Sequence, residues 1–208
     1  MNYLLLLLLT PSPAADLPPI AKLDYQAQPR AYNEICMHVA ECNGLRAIEF
    51  QVTNKDPGDL SPRFVGLSAV QEGWLPSPDS PFGCVGAARL AMGHGSCLLA
   101  LCPADATAKT QAAIDDANTR RTTGFVFCET MLDVRNAFDS GPCTIVVNRF
   151  GHAWTIVGVM PDGRLIVVDP FPDWTGRGNV GVWSPWFSEL LITLLPDYEV
   201  VALTGWRN

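Results

Sequence analysis

Two side chains in the second half of the chain have the types and spacing for a proton relay. His152 opens an apolar run, His152–Val159, and Asp169 follows another, Leu165–Val168. Between the runs, Met160-Pro161-Asp162-Gly163 carries turn chemistry, because proline presets φ and glycine accepts a positive φ. Antiparallel pairing brings the outer ends of such runs side by side, so the imidazole and the carboxylate are expected to meet at the open end of a β-hairpin. A histidine held by a carboxylate lacks only a nucleophile to complete a catalytic triad.

Cys84 is the expected nucleophile. It stands in Pro81-Phe82-Gly83-Cys84, after a Pro/Ser/Asp loop and just before Val85–Met92, a stretch of small and helix-favouring residues. A helix N-terminus favours an anion and so activates a thiol. The preceding Gly83 permits close backbone approach. Cys36, Cys42, Cys97, Cys102, Cys128 and Cys143 lack this combination, with Cys97 next in rank, and each reads as a small core residue. Of the three histidines, His38 falls inside a predicted helix and reads as structural, and His94 lies in a Gly-rich turn one helix length beyond Cys84. Asp169 read alone simply ends a strand before Pro170. Its pairing with His152 gives both residues a joint role. The expected chemistry is thiol-dependent acyl transfer, and it needs no cofactor.

Composition narrows the alternatives. The chain has 208 residues, 48% hydrophobic and 17% charged, which suits a folded globular protein with a substantial core. A formal net charge of −7 and the absence of any Lys/Arg run exclude a nucleic-acid binder from the expected partners. Seven cysteines contain no CxxC pair and no tight His/Cys cluster, His94 with Cys97 included, so no metal is expected. The odd cysteine count fits a reducing compartment with one functional thiol. Leu4–Leu9 followed by Pro11-Ser12-Pro13-Ala14-Ala15 has the outline of a signal peptide, but Met1-Asn2-Tyr3 carries no basic residue. The leucine run is too short to span a bilayer. A cytoplasmic location is expected, the host's if the protein is viral or an effector, with secretion the less favoured reading.

The positioning elements are read in order. Residues 1–30, with prolines at 11, 13, 18, 19 and 29, form an apolar and extended lead-in, and 31–208 form one domain. Ala31–Cys42 has helical spacing, and Arg46–Val52 alternates like a half-buried strand. Further helices are expected from Cys84, over Thr107–Asn118, over Glu129–Phe138 and over Pro185–Leu194. Strands are expected near Cys97–Cys102 and over Gly124–Cys128, Thr144–Asn148, Val182–Trp183 and Tyr198–Leu203, with Pro172–Val180 as a loop. Helices early and strands late make an α+β pattern, a helical layer against an antiparallel sheet.

A cysteine at a helix start, then Gly151-His152-Ala153 before a strand, then Asp169-Pro170 closing the next, resembles the papain-like cysteine peptidase superfamily. The pattern is similar to bacteriocin-processing peptidases, virulence-effector proteases of the YopT kind and viral leader proteases, over about Phe82–Pro170. The resemblance implies Cys84 as nucleophile, His152 as general base and acid, Asp169 as the orienting group, and a cleft between a helical subdomain and the sheet. It also calls for an oxyanion-hole glutamine a few residues before the cysteine. None lies in Ser77–Gly83, and Gln71, thirteen residues upstream, takes that role. Such a distance, with the stretches Gln71–Ala88 and Thr123–Gly176, is loosely similar to herpesvirus tegument deubiquitinases, although Asp169-Pro170-Phe171 lacks their Asp-x-His. The implied substrate is a protein or peptide. Two alternatives use the same site, isopeptide cleavage on ubiquitin-like proteins and deamidation of protein glutamines. A third is a catalytically inactive papain-like binding domain. Trp154 reads as sheet packing and Trp174 as a residue shaping the cleft.

Overall fold

The computed structural model describes residues 17–28, 36–62, 97–100, 122–149, 152–184 and 200–207. In chain order these form a 3-10 turn Pro19–Lys22, helix α1 (Cys36–Thr53), strands β1 (Cys97–Ala100) and β2 (Thr122–Phe127), helix α2 (Met131–Asp139), and strands β3 (Cys143–Arg149), β4 (His152–Val159), β5 (Leu165–Pro172), β6 (Gly178–Trp183) and β7 (Val200–Arg207). The strands make one sheet in the order β1-β2-β7-β3-β4-β5-β6, with every neighbouring pair antiparallel. The arrangement is α+β, with helix packed on antiparallel sheet. The expected helices from Cys84, over Thr107–Asn118 and over Pro185–Leu194 lie outside the described residues.

The central hairpin forms as β4 and β5. Its turn closes through hydrogen bonds from Met160 N to Arg164 O and from Gly163 N to Met160 O, both 2.8 Å, and Gly163 takes the positive φ of 83° that the turn requires. Asp169 lies inside β5 rather than after its end, because the strand runs on to Pro172. The connection to β6 is correspondingly short, residues 173–177, where the spacing of prolines and glycines predicts a loop from 172 to 180. Pro172 is tolerated because it is the last strand residue, beyond the register shift after Asp169.

Both faces of the sheet are covered, which explains why β5 reads as the unbroken run LIVV instead of an alternating one. Leu165 and Val167 join Trp154, Ile156 and Trp183 under α2, through Met131 and Val134. Ile166 and Val168 join Val157, Ala47 of α1, and Ala21 and Tyr25 of the N-terminal segment. Helix α2 starts on a capping box, in which Thr130 and Asp133 satisfy each other's backbone N–H groups. Among the described residues no helix is long and apolar enough to cross a membrane.

Helix α1 corrects the expected strand at Arg46–Val52: those residues continue one helix from Cys36 to Thr53. Asn43-Gly44 reads as a helix stop, since an asparagine side chain can compete for nearby backbone. Here it is engaged elsewhere: Asn43 Oδ1 accepts from Gln26 N at 3.1 Å and Nδ2 donates to Gln26 O at 3.0 Å. Every residue from Cys36 to Ile48 is buried, so no polar stripe marks the helical period. The helix is tied to the sheet along its length. Thr155 Oγ1 donates to Ala40 O at 2.5 Å, and Gln51 bridges Cys143 N and Cys143 O at 2.8 Å each. These bonds lay α1 along β4, with Cys36 toward the His152 end.

The segment 24–28 threads between α1 and the ends of β5 and β6. Gln28 N donates to Pro170 O and Gly178 N to Tyr25 O, both at 2.8 Å. A Cβ at Gly178 would stand 2.8 Å from Gln26 O. Gly178→Ala is therefore expected to destabilise the protein by about 1–3 kcal/mol, read as a lower urea midpoint at unchanged slope. A midpoint equal to wild type would show that the segment is free to move aside.

Candidate active site

Strand pairing delivers the relay. His152 Nε2–H donates to Asp169 Oδ1 at 2.7 Å, and the same oxygen accepts the backbone N–H of Phe171 at 2.8 Å. Two bonds on one oxygen hold the carboxylate in place, so the imidazole has a fixed partner. The ring is packed as well as bonded. Phe171 lies against it at 4.4 Å between centroids, and Trp154 meets it edge-on at 5.3 Å. Trp154 in turn packs against Trp183, which makes it a core residue first.

With Nε2 committed to Asp169, the remaining ring nitrogen, Nδ1, is the one available to a nucleophile. The thiol close enough to act on the ring's titration is that of Cys36, in α1. Burial alone would depress the pKa of His152, but its hydrogen bond to Asp169, the neighbouring Cys36 side chain and the charge of both raise it to about 9. An imidazole this basic takes up a proton readily and keeps it at neutral pH. The three side chains are almost closed off: Cys36 is 4%, His152 8% and Asp169 3% exposed. Ionic interactions are correspondingly stronger than in water.

Cys84 and Gln71 lie outside the described residues, so of the four expected site residues the structure brings together His152 and Asp169. It adds Cys36, which the reading of the sequence assigns to packing. One signal pointed to it. Gln28 stands eight residues before Cys36, closer than Gln71 stands to Cys84. Gln28 is 3% exposed, yet its Oε1 has no hydrogen-bond partner, and its backbone is tied to Pro170, next to Asp169. Its amide is thus not spent on holding the fold.

Other titratable groups behave as structural ones. Burial pushes the thiols of Cys128 and Cys143 up to about 12, which leaves both protonated and unreactive at neutral pH. Burial also pushes the Glu41 carboxyl up to about 8. Among the described residues no three His, Cys, Asp or Glu side chains converge as a metal site. No family model matches the chain, and no curated protein matches it.

Proposed function

We propose that the chain is a papain-like cysteine hydrolase that cleaves peptide bonds through Cys36, His152 and Asp169. The observation that carries the reading is the imidazole of His152, hydrogen-bonded to a fixed carboxylate, with the Cys36 thiol of α1 close enough to shift its titration. In the reaction the Cys36 proton passes to His152 Nδ1, and Sγ attacks the substrate carbonyl carbon. The tetrahedral intermediate collapses as His152 gives the proton to the departing amine, leaving a thioester on Cys36. His152 then takes a proton from water, the hydroxide attacks the thioester, and the proton returns to Sγ as the acid leaves.

Asp169 orients the ring and balances the imidazolium charge. The oxyanion is met by the backbone N–H of Cys36 and by the side-chain amide of Gln28, which takes the role expected of Gln71. The fold of the described residues supports the same reading, since a long buried helix lies along the strand that carries the histidine.

The test is acylation by p-nitrophenyl acetate, a generic acyl donor. The wild-type chain is expected to release a burst of p-nitrophenolate and to carry a transient acetyl group on Cys36. Cys36→Ala removes the burst and Cys84→Ala keeps it. A burst that survives Cys36→Ala and vanishes in Cys84→Ala would return the nucleophile to Cys84.

A further inference from the structure

Trp174 is 94% exposed, the most exposed of the large hydrophobic side chains among the described residues. Val52 and Leu132 are less exposed and stand elsewhere, in the last turn of α1 and on α2. Trp174 belongs to the connection 173–177 and comes three residues after Phe171, whose ring lies on His152. Three residues span at most about 10 Å, so the indole stands at the end of the sheet where the relay sits.

The connection is built rigidly. Asp173 N donates to Arg177 O at 2.7 Å and Gly176 N to Asp173 O at 3.2 Å. Asp173 Oδ1 accepts from Thr175 N at 2.7 Å, Thr175 Oγ1 at 2.6 Å and Arg177 N at 3.1 Å. Gly176 supplies the positive φ of 86°. Arg177 then clamps the turn to the rest of the fold, with Nε on Asp24 Oδ1 at 2.9 Å, Nη1 on Asp59 Oδ2 at 2.9 Å and Nη2 on Asp59 Oδ1 at 2.7 Å. The charged groups of the turn are occupied within the protein. What the turn presents outward is an indole that loses little freedom on being covered, the usual property of an interface anchor.

We propose that Trp174 is a docking contact for a polypeptide substrate, covering an aromatic or proline side chain of the segment that enters the Cys36–His152 site. This rests on the hydrolase reading and extends it, because a small amide confined to the site would not reach the indole. The occupant is an apolar residue, since no free charge on the turn is left to select an ionic one.

A random dodecapeptide library panned on the Cys36→Ser chain tests the idea. The expected peptides share an aromatic residue or proline, and bind about tenfold or more weakly when Trp174→Ala is added, while Trp174→Phe retains most of the affinity. Recovery of no peptide, or equal binding with and without the indole, would overturn the proposal. So would a concentration-dependent dimer that Trp174→Ala dissolves, which would give the surface to a second copy of the chain. Absence of the burst from the wild-type chain brings down the hydrolase reading while leaving Trp174-dependent binding measurable, so the two failures are told apart.

Discussion

His152→Ala is expected to lower acyl transfer by about 10²–10⁴-fold, the range for loss of a general acid and base. The loss has two sources. Without the imidazole, the Cys36 proton has no acceptor, and an ordinary thiol is only about 3% ionised at neutral pH. The departing amine also loses its proton donor, so the tetrahedral intermediate returns to substrate. Asp169→Asn keeps the shape but removes the charge facing Nε2, and an asparagine amide turned toward the ring stabilises the wrong tautomer. The raised pKa of His152 has a further consequence for folding. Since the folded value is about 9 and the unfolded one 6.5, this group's contribution to stability is complete below 6.5 and is lost as the pH rises through 9. The pH dependence of the unfolding midpoint should therefore flatten on the alkaline side in His152→Ala.

Arg46→Met is expected to cost about 3 kcal/mol of stability, more than any exposed ion pair would. Arg46 is 3% exposed and makes four hydrogen bonds, to Asp56 Oδ1 at 2.7 Å and Oδ2 at 2.6 Å, to Asp59 Oδ1 at 2.8 Å and to the Asp24 carbonyl at 2.8 Å. It fastens α1 to the loop 54–60 and to the N-terminal segment that runs on to Gln28. The Arg46 hydrogen bond and burial act oppositely on Asp56, and its carboxyl is held below the usual range. Methionine fills much of the space and supplies no charge, so Asp56 loses its guanidinium partner and the Asp24 carbonyl a donor. Arg46→Lys keeps the charge and loses the two-pronged fit, and should recover only part of the loss. Urea unfolding gives the number, and a loss under about 1 kcal/mol would reduce this cluster to an ordinary surface pair.

The hairpin and its two polar residues were legible in the sequence for physical reasons. Pro161-Asp162-Gly163 specifies a turn, period-two pairing follows from the turn, and the ends of the paired runs then have to meet. Cys36 was hidden for reasons of the same kind. Its helix is buried on all sides, so the amphipathic stripe that marks a helix is missing, and Asn43-Gly44 carries a stop signal that Gln26 cancels from another part of the chain. Local features, a glycine and a polar loop, point to Cys84, which lies outside the described residues. The placement of Cys36 near His152 depends on how α1 is laid along β4, and that is set by contacts such as Thr155 to Ala40 and Gln51 to Cys143. Those partners are far apart in sequence, and neither member of a pair announces the other.

The most direct test of the central claim is the rate of Cys36 alkylation by iodoacetamide, mapped by mass spectrometry across pH in the wild-type and His152→Ala chains. If Cys36 and His152 act as a pair, Cys36 is labelled fastest at neutral pH and Cys128 and Cys143 are spared. The wild-type rate then stays level across neutral pH and changes near pH 9, where His152 gives up its proton. In His152→Ala the neutral rate drops toward that of the other thiols. A single rise centred on the ordinary thiol value of about 8.5, the same in both chains, would show that Cys36 and His152 do not act together.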